Sequence, residues 1–360
     1  MINETAYTLS QTTRDILFSY SLVIIIVGTI GNVLLLGTLI YKHVKQSQTS
    51  VTETNITTPD LCLQPHPTVK HKPPKKGWSL ADELLLLLTV SDILCLWVLA
   101  VRYSILLSTC YDIRVYNTAV CKIHMYLSMV CTNLANAFLC IFSVQRAICI
   151  RWPLANYTWL SRKRLNMCVG VSLVFILLKH VAVFYFFEVL EDEDGLQCES
   201  TLLESAVFRA YYNFEFATHV VIGYSILIVA NICLCIALHQ RGSLQAHSGN
   251  ELNTLSGERL KTQISDSATG GRNTARIILL FSIFQLITSV PFFVLLELSQ
   301  LFELDIIPHE YRALTYYICT LAMFTNNAVN FFLLSSISER FRSDTKDFLR
   351  YLKTKCVQIM

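Results

Sequence analysis

Asp92 is the side chain that fits its surroundings least. It closes the run Leu88-Thr89-Val90-Ser91-Asp92, inside a stretch with almost no other charge. A charge at the centre of a bilayer costs about 2.5–3.5 kcal/mol or more, so such a carboxylate must turn toward other helices and find partners there. Asn32, Asn326, Asn327 and Asn330 lie in two other apolar stretches and suit that role. Two chemistries are open: polar glue between helices, worth about 1–2 kcal/mol per bond, or a sodium- or proton-linked switch. The only cofactor this leaves room for is a sodium ion at Asp92. Arg102, further along the same stretch, needs a counter-charge or water. Arg146 ends the third apolar stretch, where a long side chain can reach the interface.

Enzyme chemistry has little support. Cys62, His66 and His71 have a loose metal-like spacing, but no fourth ligand follows them and no metal is expected. There is no HExxH, no GxSxG and no pair of intramembrane aspartates. A net charge of +3 leaves no electrostatic footprint for nucleic acid.

The elements that position these residues follow from composition. The chain has 360 residues, 53% apolar and only 15% charged, where soluble domains carry about 25% charged residues. Mean hydropathy is +0.47. A bilayer core takes about 20 apolar residues as helix. Such runs fall at about 16–41, 80–107, 118–150, 166–188, 206–238, 273–299 and 311–335. The expected fold is therefore an all-α membrane protein with seven helices spanning 16–335. The polar residues 1–15 form the N-terminal segment, so 16–41 acts as signal anchor. Most of the thirteen cysteines sit within apolar runs, where a thiol behaves as a small hydrophobe.

Lys and Arg orient the bundle. One side collects Lys42, Lys45, Lys70, Lys72, Lys75 and Lys76, then Arg151 and Arg162–Arg164, then Arg241, Arg259, Lys261 and Arg272, then six more from Arg340 to Lys355. The loops of the other side hold only Arg14, Arg114 and Arg312. The basic side reads as cytoplasmic and the N-terminus as extracellular, in the plasma membrane. Asn3-Glu4-Thr5 is then a glycan acceptor on the correct side, whereas Asn55 and Asn156 match the pattern by chance on the wrong one. The inner loops 42–79 and 240–272 read as flexible. Residues 336–360 form a cytoplasmic tail whose amphipathic stretch lies on the inner membrane face among the lipids, with Cys356 a palmitoylation candidate.

Taken together, Gly31-Asn32, Leu88…Asp92, Cys121, Arg146 and the run Gln145-Arg146-Ala147 through Trp152-Pro153-Leu154 resemble a rhodopsin-like G-protein-coupled receptor. Asn326-Asn327-Ala328-Val329-Asn330-Phe331-Phe332, followed by Arg340-Phe341-Arg342, resembles the seventh span of FMRFamide-type neuropeptide receptors. The resemblance implies an extracellular ligand, a heterotrimeric G protein facing Arg146, and a disulfide between Cys121 and Cys198, for which Cys110 is a competitor. It also implies an inward-facing pocket from Arg102, Tyr103, Ser128, Thr132, Phe292, Phe293, Tyr316 and Thr320. Departures accompany it. Gln145 replaces the family's acid, Ala147 its aromatic, Leu334 a tyrosine, Ser289 a tryptophan and Gly223 a proline; Ala135 stands where many members carry a hydroxyl. Without an acid to restrain Arg146, basal activity should be high.

Ser128 occupies the place of the amine receptors' aspartate and Phe324 that of the opsins' lysine, which disfavours amines and retinal. The second outer loop carries Glu188, Glu191, Asp192, Glu193, Asp194, Glu199 and Glu204 with no Lys or Arg among them. It could steer a basic peptide, chiefly through the association rate. Two other classes stay open: a degenerate, non-signalling seven-helix protein that scavenges ligand or pairs with a receptor, and a transporter using Asp92 as an ion site.

Overall fold

The computed structural model describes residues 9–55, 79–152, 161–192, 195–202, 205–251, 258–294 and 308–359. Lipid offers backbone N–H and C=O groups no partners, so each spanning segment must bond within itself as a helix. Seven helices here are long and apolar enough to cross a membrane. They are α1 (Gln11–Asn55), α2 (Leu80–Thr109), α3 (Thr118–Arg151), α4 (Arg162–Phe186), α5 (Ala206–Glu251), α6 (Glu258–Phe292) and α7 (His309–Ile337). An eighth helix, α8 (Glu339–Ile359), follows. Side chains start several of them: Ser79 accepts from the Asp82 amide, Asn117 from Val120 and Ser205 from Phe208, each satisfying an N–H that the first turn leaves open.

α3 is the central strut, packed on α2, α4, α5 and α6. α1 and α7 approach through small residues. A Cβ on Gly28 would stand 2.7 Å from the Ala328 Cβ and 3.0 Å from its Cα, so that face of α1 tolerates no side chain. Between α4 and α5 the chain turns into a hairpin, β1 (Phe187–Asp192) against β2 (Gly195–Ser200), antiparallel from Phe187↔Ser200 to Asp192↔Gly195. Gly195, at φ 108°, takes a conformation that L side chains rarely adopt. The fold is thus helical with one small hairpin, and α4 ends at Phe186 because the next residue is already extended.

The two loops expected to be flexible are helical in the parts described. α1 runs on to Asn55, while α5 continues to Glu251 and α6 begins at Glu258. Residues 42–55 contain neither Gly nor Pro, so each added residue extends an existing helix without a new nucleus. Asn3, Asn156, Cys62, His66 and His71 lie outside the described residues, as do Glu193, Asp194 and Glu204 of the acidic loop.

Within two spans the helix widens by one residue per turn, at Leu96–Ala100 in α2 and at Ala217–Ile222 in α5. Such turns often mark functional sites. The second is held by α3: the Asn136 amide donates to the His219 carbonyl at 3.3 Å, and the Cys140 thiol to the Gly223 carbonyl at 3.3 Å. Gly223 is required here, since a Cβ would meet Asn136 Nδ2 at 2.7 Å. α8 lies along α1, with Phe348 over Gly37, Tyr41 5.8 Å from Phe348 and 5.2 Å from Tyr351, and Lys45 paired to Asp347 at 3.0 Å. Its exposed side carries Leu349, Leu352, Cys356 and Val357, an arrangement suited to a membrane surface.

Candidate functional site

At the hairpin end, a disulfide joins Cys121 in the first turn of α3 to Cys198 in β2, with Cα atoms 5.7 Å apart. Cys110 takes no part in it. The bond fixes the acidic hairpin against α3 and the 3-10 turn Ile113–Tyr116. Glu188 lies directly across from Glu199 in the register, a like-charge pairing that a sheet disfavours. Lys122, one residue after the bridged cysteine, meets Glu188 at 3.1 Å and relieves it.

Beneath the hairpin sits a buried trio. Asp112 accepts from Arg102 Nε at 3.0 Å and Nη2 at 2.5 Å, and from Arg114 Nε at 2.9 Å and Nη2 at 2.6 Å. All three residues are at most 5% exposed. Arg102 therefore has a counter-charge, but shares it with Arg114. Burial alone would raise the Asp112 carboxyl, but the hydrogen bond and charge of Arg102, then those of Arg114, hold it far below the usual carboxylate range. Burial, then the neighbouring Arg102 charge, lowers Arg114.

The other pocket residues divide between two places. Tyr103 and Tyr316 share a hydroxyl–hydroxyl contact of 2.5 Å, and Phe292 packs on Tyr316 at 6.1 Å between ring centres. Thr320, buried with its hydroxyl unpartnered, is on the same helix as Tyr316. Phe293 instead faces α5, 5.3 Å from His219 and 5.6 Å from Tyr224. Ser128 bonds His124, and the Thr132 hydroxyl bonds the Ser128 carbonyl, so both are engaged along α3.

Midway down, α3, α4 and α5 share a second charged cluster. Lys179 Nζ reaches Glu215 Oε2 at 2.6 Å, Asn133 Oδ1 at 2.8 Å and Thr218 Oγ1 at 3.1 Å. Asn133 in turn donates to Glu215 Oε1 at 2.8 Å. Two ammonium bonds go to Asn133 and Thr218, and the facing carboxylate supplies the opposite charge that a buried ammonium needs. His180 stands 3.7 Å from Glu215 and bonds Tyr211 at 3.0 Å.

Deeper still, Asp92 accepts from Asn330 Nδ2 at 2.5 Å, and its other oxygen has no partner. Asn32 and Asn326 do not bond it. Asn32 donates to the Asn327 carbonyl at 2.8 Å, and Asn326 donates to Gln285 of α6. The expected network is instead three separate pairs, two of which, Asp92–Asn330 and Asn326–Gln285, line a small cavity with Ala135 and apolar side chains. At the far end of α3, Arg146 has no carboxylate bonded to it among the described residues. Its guanidinium lies 5.7 Å from the Phe142 ring and its Nε is buried without a partner, while Gln145 turns to Cys149 at 3.4 Å.

Lys179, Glu215, Asp112, Lys122 and Gln285 are absent from the residues selected on sequence. The signal for the first two was present. Leu178-Lys179-His180 and Phe214-Glu215-Phe216 put charges inside apolar runs, the criterion that singled out Asp92. Lys122 and Lys179 lie inside spans, outside the loops whose charges orient the bundle.

The chain belongs to the 7 transmembrane receptor (rhodopsin family), whose family model matches residues 74–333, more than half of its length. It is a multi-pass membrane protein of the rhodopsin-like receptor class. No curated protein matches it.

The Lys179–Glu215 pair generates a double-mutant prediction. Removing one partner, by Lys179→Met or Glu215→Met, strands the other charge and should cost about 3–5 kcal/mol. The double variant should lose less than either single change, since two apolar side chains leave no stranded charge. Thermal unfolding of the four purified proteins measures this. Additive losses would show that the two residues act independently.

Proposed function

We propose that the chain is a plasma-membrane receptor with its hairpin end outside, binding an extracellular peptide and coupling to a heterotrimeric G protein. The observation that carries the reading is the disulfide that tethers the acidic hairpin to α3, together with the aromatic pair Tyr103–Tyr316. The hairpin supplies a field that draws cationic peptides, and the aromatic pocket supplies contact area. The basic residues at the opposite end support this orientation. Arg146 is the residue offered to the G protein, and Asn3 and Cys356 are the proposed glycan and lipid sites.

Ligand binding would act by shifting a two-state equilibrium, which requires different contacts in the two states. The Asp92 cavity is the element proposed to differ. Asp92's unpartnered oxygen lies at a cavity lined also by the side-chain amides of Gln285, Asn326 and Asn330, and oxygen donors of that kind suit a hard cation. A sodium ion there would offset the buried carboxylate and favour the resting state.

Two measurements test this reading. In cells carrying a promiscuous G-protein reporter, the wild-type chain should signal without ligand, because Arg146 has no carboxylate restraint. Arg146→Ala should reduce that signal about tenfold or more at equal surface expression, and a screened peptide library should yield cationic hits. Silence with and without peptides would overturn the coupling and favour the non-signalling alternative, for which Gln145 and Leu334 are the specific departures. Replacing sodium by choline should raise basal signalling of the wild type and leave Asp92→Asn unaffected. Equal behaviour of the two proteins would reduce Asp92 to structural glue.

A further inference from the structure

The trio at the hairpin end is unbalanced. Two guanidiniums share one carboxylate, giving a net charge of +1 in a place where every member is at most 5% exposed. Asp112 is saturated. It accepts four side-chain bonds and a fifth, from the Arg114 amide, at 3.1 Å. Among the described residues each guanidinium makes an ion pair with Asp112 and with no second carboxylate, and the Tyr103 ring lies beside Arg102. Arg102 directs both Nε and Nη2 at Asp112. Arg114 Nη1 has only the Met125 sulfur, at 3.2 Å, a weak acceptor.

A buried cation without an anion is expensive, and a guanidinium fork is shaped to take a carboxylate. Next to it stand the aromatic rings of Tyr103, 4.7 Å from the Arg102 guanidinium, and of Tyr316. We propose that Arg102 and Arg114 bind the carboxylate of the ligand, so that the receptor takes an aromatic carboxylic acid, such as a free peptide C-terminus, in preference to its amide. The ligand being a peptide rests on the functional reading above; the carboxylate site does not. With the acidic hairpin outside it, the site would orient such a peptide with its cationic part at the hairpin and its carboxylate inward. An amide has no charge to offset the second guanidinium.

The experiment uses the full-length chain in lipid nanodiscs, with N-acetylphenylalanine and N-acetylphenylalanine amide as probes and thermal unfolding as readout. The acid, at millimolar concentration, should raise the unfolding midpoint by about 2–4 °C, and the amide should not. Arg114→Gln should abolish the rise. Its own midpoint without ligand should match or exceed the wild type's, because the variant retains a balanced Arg102–Asp112 pair. Acid and amide acting alike, no response to the acid at tens of millimolar, or a collapsed midpoint for unliganded Arg114→Gln would each overturn the proposal. The readout involves no G protein. A silent receptor that distinguishes acid from amide would sink the coupling alone, and a signalling receptor that does not would sink the carboxylate site alone.

Discussion

A bilayer gives an ionised side chain nowhere to go but inward, and most of this bundle's interior is organised around that constraint. Three charged groups are buried at three depths, each with a different balance. Lys179 and Glu215 neutralise each other, with Asn133 and Thr218 taking the remaining bonds. Asp92 has one strong partner, Asn330, and one open oxygen beside a cavity. Arg102 and Arg114 exceed the charge of Asp112. The balanced cluster reads as a fastener between helices. The two unbalanced ones are where an ion or ligand has charge to neutralise, so the chemistry available to this protein lies there.

These groups meet because α3 carries a partner or neighbour for each of them. Asn133 completes the Lys179–Glu215 pair, Ala135 lines the Asp92 cavity, and Met125 meets Arg114. The wide turns contribute locally. The turn at Leu96–Ala100 lies between Asp92 and Arg102 on one helix, and the turn at Ala217–Ile222 frees a carbonyl that Asn136 binds. The pair Gln285–Asn326 links α6 to α7 at the edge of the Asp92 cavity. A change in the cavity's contents therefore bears directly on the contact between two helices whose separation would open the opposite end of the bundle.

The spans were legible in the sequence because hydropathy reports a demand that lipid imposes on every residue of a segment at once. Asp92, Arg102 and the Cys121–Cys198 bridge were legible because each stands out against its stretch or matches a family position. What was not legible depended on pairing. Nothing in the sequence says that Arg102 is matched by Asp112 ten residues on, or that Asn326 turns to Gln285 rather than to Asp92. The helical extensions beyond the spans were missed because their composition reads as polar linker, while helix propagation from an existing end needs no apolar face. Lys122 and Lys179, inside the spans and outside the loops whose charges orient the bundle, hold the hairpin and α5 respectively.

We propose a two-state bundle in which Arg146, unpaired with a carboxylate among the described residues, lets the end opposite the hairpin open to a G protein. Spin labels on the exposed Lys163 of α4 and Arg276 of α6 report that opening as a distance. In purified full-length receptor without ligand, the distance distribution should contain a longer population that nucleotide-free heterotrimer enlarges. A single distance, unchanged by the heterotrimer, would contradict the claim.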